Sequence, residues 1–125
     1  MLFSCMVWKI EFVAAFKAEF DEFPEAAQDA ILAHALVLER QGPILGRPYV
    51  DTLKDSRHAN MKELRCTAEK GVWRVAFAFD PDRKAILLTA GNKAGANQKR
   101  FYKQLIATAD DRFDLHLAEL ERKRK

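Results

Sequence analysis

Three closely spaced strand patterns between Met61 and Ala90 constrain the fold of this chain most. Met61–Thr67, Val72–Phe79 and Ala85–Ala90 are short runs rich in apolar residues, as is typical of β-strands. The connections around Glu69–Gly71 and Asp80–Asp82 are short enough for hairpin turns. We therefore predict an antiparallel meander of three strands.

Further elements are predicted before the meander. Val7–Phe12 alternates apolar and charged residues, as a half-buried strand does. Aromatic residues at helical spacing then predict a helix from Val13, and a second helix, Pro24–Arg40, follows. His34 borders the apolar stripe of the second helix and is assigned to packing or to the surface, because no partner for a metal site or a base lies nearby. The stripe consists of Ala27, Ile31, Ala35 and Leu38.

A loop and a long helix complete the chain. Gly42–Asn60 has no sustained period and is predicted to be a loop, and loops of this length are commonly functional. Asn97–Arg122 is predicted to be a helix with one apolar side, followed by a frayed basic tail at residues 122–125. That side consists of Phe101, Leu105, Ala109, Phe113, Leu117 and Leu120. The 125 residues are expected to form one α+β domain, with two N-terminal helices and a C-terminal helix packed on a mostly antiparallel four-stranded sheet.

Composition and motifs exclude several classes of protein. Apolar residues make up 49% of the chain and charged residues 31%, which favours a soluble globule over a disordered segment. Cys5 and Cys66 form no CxxC motif, so no disulfide framework or zinc site is expected, and Cys66 is interpreted as a small buried hydrophobe. The apolar start meets charge at Lys9 and Glu11, too soon for a signal peptide or a membrane span. The cysteine usage fits a reducing cytoplasm, which is the expected location. Met6 is an alternative start, which would make residues 1–5 an extension.

Charge is distributed unevenly along the chain. Met1–Gly42 holds 3 Lys and Arg against 7 Asp and Glu, a net charge of −4, whereas Pro43–Lys125 holds 18 against 11, a net charge of +7. The second part therefore favours a polyanionic or acidic partner. Motifs for nucleotide binding and metal-dependent hydrolysis are missing from the sequence, so no cofactor or metal is expected.

Two arginines on neighbouring strands give the sharpest local signal. Arg65 and Arg74 are expected to lie side by side in the meander, and like charges so placed repel unless an anion lies between them. Glu63, Arg65 and Arg74 are expected to face outward, so Glu63 either pairs with one arginine in a surface salt bridge or leaves both arginines for a bound phosphate. Ala76 and Ala78 share the face of Arg74 and are expected to form a shallow floor beside it.

A second group of cations lies between Gly91 and Lys103, with Phe101 and Tyr102 among them. Cations bind phosphates and exposed aromatic rings stack on bases, which is how single-stranded RNA is commonly bound. Phe101 is assigned to the core and Tyr102 to the surface. A solvated helix start is the alternative, although cations there oppose the helix dipole. Together with the loop cations, the candidate RNA-binding residues are Lys54, Arg57, His58, Lys62, Lys99, Arg100 and Lys103.

Cations, one carboxylate and one tyrosine in a groove suit metal-free phosphodiester transfer. In that reaction the 2′-hydroxyl of the RNA attacks the phosphate and arginines stabilise the charged phosphorane. A Glu, Lys or Tyr side chain moves the protons.

Three long segments carry a family resemblance. They are GRPYVDTLKDSRHANMKELR (Gly46–Arg65), VWRVAFAFDPDRKAILLTAGNK (Val72–Lys93) and KRFYKQLIATADDRFDLHL (Lys99–Leu117). With them the chain resembles the phage-derived, HigB-like branch of the RelE toxin superfamily, from Trp8 to Leu120. The resemblance implies the α+β fold and the toxin of a type II toxin–antitoxin pair. Such a toxin is an endoribonuclease that cleaves messenger RNA in the ribosomal A site and is neutralised by a HigA-like helix-turn-helix antitoxin.

The resemblance also assigns catalytic roles by position to the central strand, the strand before it, the end of the last strand and the final helix. The matching residues are Arg74, Arg65, Lys93 and Tyr102. Where relatives carry lysines on the outward face of the earlier strand, this chain has Met61 and Glu63. Proton transfer through Glu63, or through Lys54 and Arg57 of the loop, therefore stays open.

Two hypotheses remain at this point. The first is a ribosome-dependent ribonuclease, which the retained arginines, lysine and tyrosine favour. The second is a non-catalytic or degenerate toxin whose basic groove serves only to bind RNA or an acidic antitoxin segment. A small helix-turn-helix gene in the neighbouring reading frame would support toxin–antitoxin pairing.

Overall fold

A computed structural model of the chain describes residues 8–68, 71–93, 95 and 97–124. The predicted extension at residues 1–5, Met6, the strand start at Val7, turn residues 69–70 and the tail residue Lys125 lie outside the described residues. The elements in chain order are β1 (Lys9–Phe12), α1 (Ala14–Phe20), α2 (Glu25–Gln41), a 3₁₀ turn (Gly42–Ile44), β2 (Val50–Thr52), β3 (Lys62–Ala68), β4 (Gly71–Phe79), β5 (Lys84–Asn92) and α3 (Gln98–Lys123).

Five strands form one mixed sheet in the order β1-β5-β4-β3-β2. β3, β4 and β5 form the predicted antiparallel meander, and β1 pairs with β5 in parallel. The α+β class is confirmed, but the expectation of four strands was wrong, because β2 pairs with the edge of β3. The segment Gly42–Asn60 is thus not a continuous loop. β2 has only three residues, too few to show a period, and Val50 pairs with Leu64 far along the chain.

Helices cover both faces of the sheet. α1 and α2 pack on one face over a core that includes Ile31 and Leu64, and α3 packs on the other through Leu105 and its neighbours. Ala76 and Ala78, expected to form an open floor, are fully buried beneath α3. Their alternation along β4 predicts the face they occupy, but no local pattern shows which helix covers that face.

The predicted apolar stripe of α2 is buried against the sheet, which confirms it. His34 is half-buried, and its Nδ1 lies 2.8 Å from the carbonyl oxygen of Ala30, in keeping with a packing role. α2 ends at Gly42, where φ is +62° and an added Cβ would lie 2.3 Å from the Trp8 ring. Only glycine fits both this backbone angle and this close approach.

α3 is anchored at its start and along its length. The Asn97 side-chain oxygen accepts a hydrogen bond from the Arg100 N–H at 3.0 Å, which caps the first turn. Further along, Arg112 donates to Glu19 of α1 at 2.6 and 2.9 Å. The buried residues of α3 are Leu105, Ile106, Ala109, Asp110 and Phe113. Among the described residues, no helix is long and apolar enough to cross a membrane.

Candidate active site

A buried carboxylate, Glu63, lies at the centre of the predicted catalytic residues. Glu63 is 3% exposed and faces α3 from β3. Its Oε2 accepts a hydrogen bond from Arg65 Nη2 at 3.0 Å, and its Oε1 accepts one from the Tyr102 hydroxyl at 2.8 Å. The same Oε1 lies 3.8 Å from Arg74 Nε. One carboxylate therefore joins three predicted catalytic side chains.

The strand register confirms that Arg65 and Arg74 lie directly opposite each other. The sequence requires an anion between two such arginines, and Glu63 supplies it. The expectation that Glu63 faces solvent was wrong, because α3 covers its face of the sheet. A carboxylate in this position is stabilised by its guanidinium and hydroxyl partners, since an unpaired buried charge is costly.

The two arginines differ in their surroundings. The Arg65 side chain is 35% exposed and also lies 3.5 Å from Asp51 on β2. The Arg74 side chain is only 16% exposed, which corrects the expectation that it faces solvent. Arg74 Nη1 donates to the Val72 carbonyl at 3.3 Å, while its buried Nε has no hydrogen-bond acceptor among the described residues. Arg74 is thus held by the protein but keeps unused donor capacity.

Tyr102 is placed as a hydroxyl donor. Its ring is half-buried against Phe101, so it is less exposed than the sequence predicts. Burial, followed by the hydrogen bond to Glu63 and its charge, raises the pKa of Tyr102, although Arg74 opposes this shift. A tyrosine with a raised pKa keeps its proton at neutral pH, which suits a hydrogen-bond donor or an acid better than a base.

Glu63, Arg65 and Tyr102 open onto a groove of about 930 Å³ between the segment 52–57 and α3. The groove brings together most of the predicted loop and helix cations. The predicted site residues in its wall are Lys54, Arg57, Glu63, Arg65, Lys99, Tyr102 and Lys103. Arg74 and Lys93 line a second hollow of about 410 Å³, and Gln98 lines both. Gln98 also accepts a hydrogen bond from Lys93 at 3.1 Å, a link that the sequence analysis missed.

Three candidate RNA-binding residues lie outside the groove wall, namely His58, Lys62 and Arg100. Arg100 lines a shallow surface on α3 together with Lys99 and Lys103. Lys62 alternates with Glu63 on β3, so its side chain lies on the α2 face of the sheet, away from the groove. The structure therefore does not bring Lys62 together with the other candidate RNA-binding residues.

Loop residues Arg57 and His58 are bound to acidic residues of α3. Arg57 donates to Asp114, and to Asp111 at 3.2 Å, while His58 Nε2 lies 2.8 Å from Asp114. Hydrogen bonds from Arg57 and then from His58 lower the pKa of Asp114. Part of the loop charge is thus used to hold the groove wall, which leaves less of it for RNA.

Buried Asp110 on α3 also binds the loop that contains Arg57. Its carboxylate accepts hydrogen bonds from Ser56 Oγ at 2.5 Å and from the Arg57 N–H at 3.0 Å. Sequence analysis missed this residue. The signal that could have identified it is an acidic residue at a position that helical spacing assigns to the apolar side of α3. The loop that carries Lys54 is therefore positioned by α3.

Two chemical expectations can be compared with the described residues. Burial raises the pKa of the Cys66 thiol to about 12, in keeping with its interpretation as a small hydrophobe. Among the described residues, no group of three or more His, Cys, Asp or Glu side chains is arranged to hold a metal ion. Beside the carboxylate of Glu63, the arrangement can offer guanidinium donors and a hydroxyl proton to an anion bound in the groove.

Sequence comparison identifies relatives over most of the chain. The family described as phage-derived protein Gp49-like matches residues 18–114. HigB2 of Mycobacterium tuberculosis, which is named as a toxin, is 49% identical over 94 residues, covering 74% of this chain and 46% of HigB2. HigB3 of the same organism, also named as a toxin, is 52% identical over 82 residues, covering 66% of this chain and 69% of HigB3. The chain thus spans about half the length of HigB2.

Structure comparison shows the fold. The toxin–antitoxin complex RelBE2 of M. tuberculosis matches with a TM-score of 0.52 at 16% identity, covering 70% of this chain and 99% of the matched chain. A free mutant of the Escherichia coli toxin RelE gives a TM-score of 0.54 at 10% identity over 82% of this chain and 96% of that one. The RelE–RelB complex of Pyrococcus horikoshii gives 0.53 at 18% identity over 73% and 100%. The chain belongs to the phage-derived Gp49-like family, which is of the RelE/HigB type, and it has the RelE fold.

Proposed function

We propose that this chain is the toxin of a type II toxin–antitoxin pair and cleaves messenger RNA in the ribosomal A site. The observation that carries the proposal is the cluster of Arg65, Arg74 and Tyr102 around one carboxylate, at the junction of two cation-lined hollows. The toxin names of its relatives support the toxin role.

Lysines of the groove between the segment 52–57 and α3 bind the RNA backbone. Lys54, Lys99 and Lys103 are exposed in the groove wall, and none forms an ion pair with a carboxylate among the described residues. Cations that are free of internal partners exchange counterions for phosphates, so they contribute most to binding a polyanion. Single-stranded messenger RNA presents these phosphates without a paired strand in the way.

Cleavage proceeds by internal transfer at the cluster. The 2′-oxygen forms a bond to phosphorus, the bond from phosphorus to the 5′-oxygen breaks, and the products are a 2′,3′-cyclic phosphate and a 5′-hydroxyl. Arg65 and Arg74 stabilise the phosphorane charge. Tyr102, with its raised pKa, donates its proton toward the leaving 5′-oxygen. Glu63 accepts the proton of the attacking hydroxyl.

The partner that restrains this activity is a HigA-like helix-turn-helix antitoxin. Two of the structures with the same fold are toxins bound to their antitoxins, RelBE2 and RelE–RelB. Induction of this chain alone is expected to arrest growth and translation. Co-expression of its helix-turn-helix antitoxin is expected to relieve the arrest.

One observation favours the competing hypothesis of a non-catalytic module. Glu63 already neutralises part of the charge of Arg65 and Arg74, as a bound phosphate does. Purified protein and ribosomes programmed with a defined messenger RNA separate the two hypotheses. New 5′-hydroxyl ends in the A-site codon support the toxin, and intact RNA with ribosome binding supports the module.

A matched pair of variants links the activity to the cluster. Arg74→Lys keeps the charge but loses the planar guanidinium, so we expect cleavage to fall by about 100-fold or more. Arg40→Lys makes the same change on the exposed side of α2 and is expected to cleave normally. Equal loss in both variants, or in neither, contradicts the assignment of Arg74.

A further inference from the structure

The outward face of α2 carries exposed apolar side chains that the fold does not use. Leu32, Leu36 and Val37 are 46%, 58% and 42% exposed, although the inward side of the same helix fills the core. Val37 also lines an apolar hollow of about 260 Å³ with Ala33 and Tyr49. Clustered apolar residues at a surface mark contacts between proteins.

Charges of opposite sign flank these residues. Asp29 and Arg40 are both exposed, and neither forms an ion pair with another described residue. They are eleven positions apart, so they project within about 20° of each other around the helix and lie about 16 Å apart along it. The outward face therefore has an acidic end, an apolar middle and a basic end.

This pattern complements itself. The positions pair around a point between positions 34 and 35, halfway between Asp29 and Arg40, when a second α2 runs antiparallel to the first. The facing pairs are Asp29 with Arg40, Leu32 with Val37, and Ala33 with Leu36. Two-fold symmetry makes each pair occur twice, so the dimer has two attractive contacts between Asp29 and Arg40. The small side chain of Ala33 leaves room for Leu36 of the other copy. A crossing angle of about 20° keeps all three pairs in contact.

We propose that a second copy of this chain docks on the outward face of α2, giving a two-fold symmetric dimer. The same helix in parallel orientation would place Asp29 against Asp29, so the charges also specify the direction of pairing. α2 and α3 lie on opposite faces of the sheet, so the candidate active site of each copy stays open. The dimer is independent of the proposed catalytic function.

Charge exchange tests this arrangement. Purified full-length chain is measured by sedimentation equilibrium from about 1 to 100 µM, a range that detects moderate affinity. Wild-type protein is expected to dimerise, while Asp29→Arg and Arg40→Asp each weaken the dimer by about tenfold or more, because both contacts become repulsive. The double variant Asp29→Arg/Arg40→Asp restores the dimer. An equimolar mixture of the two single variants forms a mixed dimer, since opposite charges then face each other.

Apolar substitutions provide a matched control. Leu36→Glu is expected to abolish the dimer, whereas Leu115→Glu, at an α3 position that is 66% exposed, leaves it intact. A wild-type monomer throughout the range, a double variant that stays monomeric, or equal loss from both leucine variants overturns the proposal. A monomer whose binding to the helix-turn-helix protein is lost only in Leu36→Glu assigns the face to the antitoxin instead, which also overturns it.

Discussion

Replacing Glu63 by glutamine is expected to destabilise the protein through charge alone. Glutamine keeps the shape and an acceptor oxygen for Tyr102, but it removes the anion between Arg65 and Arg74. Breaking a buried ion pair costs about 3–5 kcal/mol. Arg65 is 35% exposed and retains Asp51 at 3.5 Å, which reduces that cost. We therefore expect the free energy of unfolding to fall by about 2–3 kcal/mol, mainly because the mostly buried Arg74 loses its counter-charge.

Urea unfolding followed by circular dichroism measures the change. Glu11→Gln is the matched control, because Glu11 pairs with Lys84 at a partly exposed position and its loss should cost less than about 0.5 kcal/mol. Inorganic phosphate is expected to recover more stability in Glu63→Gln than in the wild type, since an anion bound to the folded state takes the place of the carboxylate. A loss below about 0.5 kcal/mol, with no response to phosphate, refutes the role of Glu63 as the internal anion.

Three further predictions concern Tyr102, the groove cations and Gly42. Because the pKa of Tyr102 is raised above 10.0 in the folded state, its contribution to stability is present below that pH and is lost as the pH rises through the folded pKa. Tyr102→Phe should therefore flatten the fall in unfolding free energy above about pH 10 in urea titrations, and an unchanged slope contradicts this. Lys54→Ala and Lys99→Ala should each lower the slope of log K against log salt concentration for RNA binding by about one unit in fluorescence titrations, because each variant loses one phosphate contact. If neither variant changes the slope, the RNA binds elsewhere. Gly42→Ala should cost about 1–3 kcal/mol in thermal unfolding, because the added methyl group meets the Trp8 ring, and a wild-type melting temperature disproves that clash.

Features that depend on the spacing of neighbouring residues could be predicted from the sequence. The stripe of α2 and the meander of β3, β4 and β5 follow from periods of 3.6 and 2, and the structure confirms both. The placement of Arg65 opposite Arg74 follows from the meander, because a short hairpin sets the register.

Features that depend on distant parts of the chain could not be predicted. β2 exists because Val50 pairs with Leu64, which three residues of sequence do not reveal. The burial of Glu63 depends on α3 crossing its face of the sheet. The pairing of Arg57 with Asp114 joins residues 57 positions apart. In each case the partner of a side chain is set by tertiary packing, which the local sequence does not reveal.

Cleavage of an RNA with a single 2′-deoxy substitution tests the central claim most directly. Ribosomes are programmed with a messenger RNA whose cleaved position carries either a 2′-hydroxyl or a 2′-hydrogen, and both are incubated with the purified chain. Because the attacking group is the 2′-oxygen, we expect the hydroxyl substrate to yield a 2′,3′-cyclic phosphate and the deoxy substrate to remain intact while still bound. Cleavage of the deoxy substrate at the same position, or no cleavage of either one, would contradict the account.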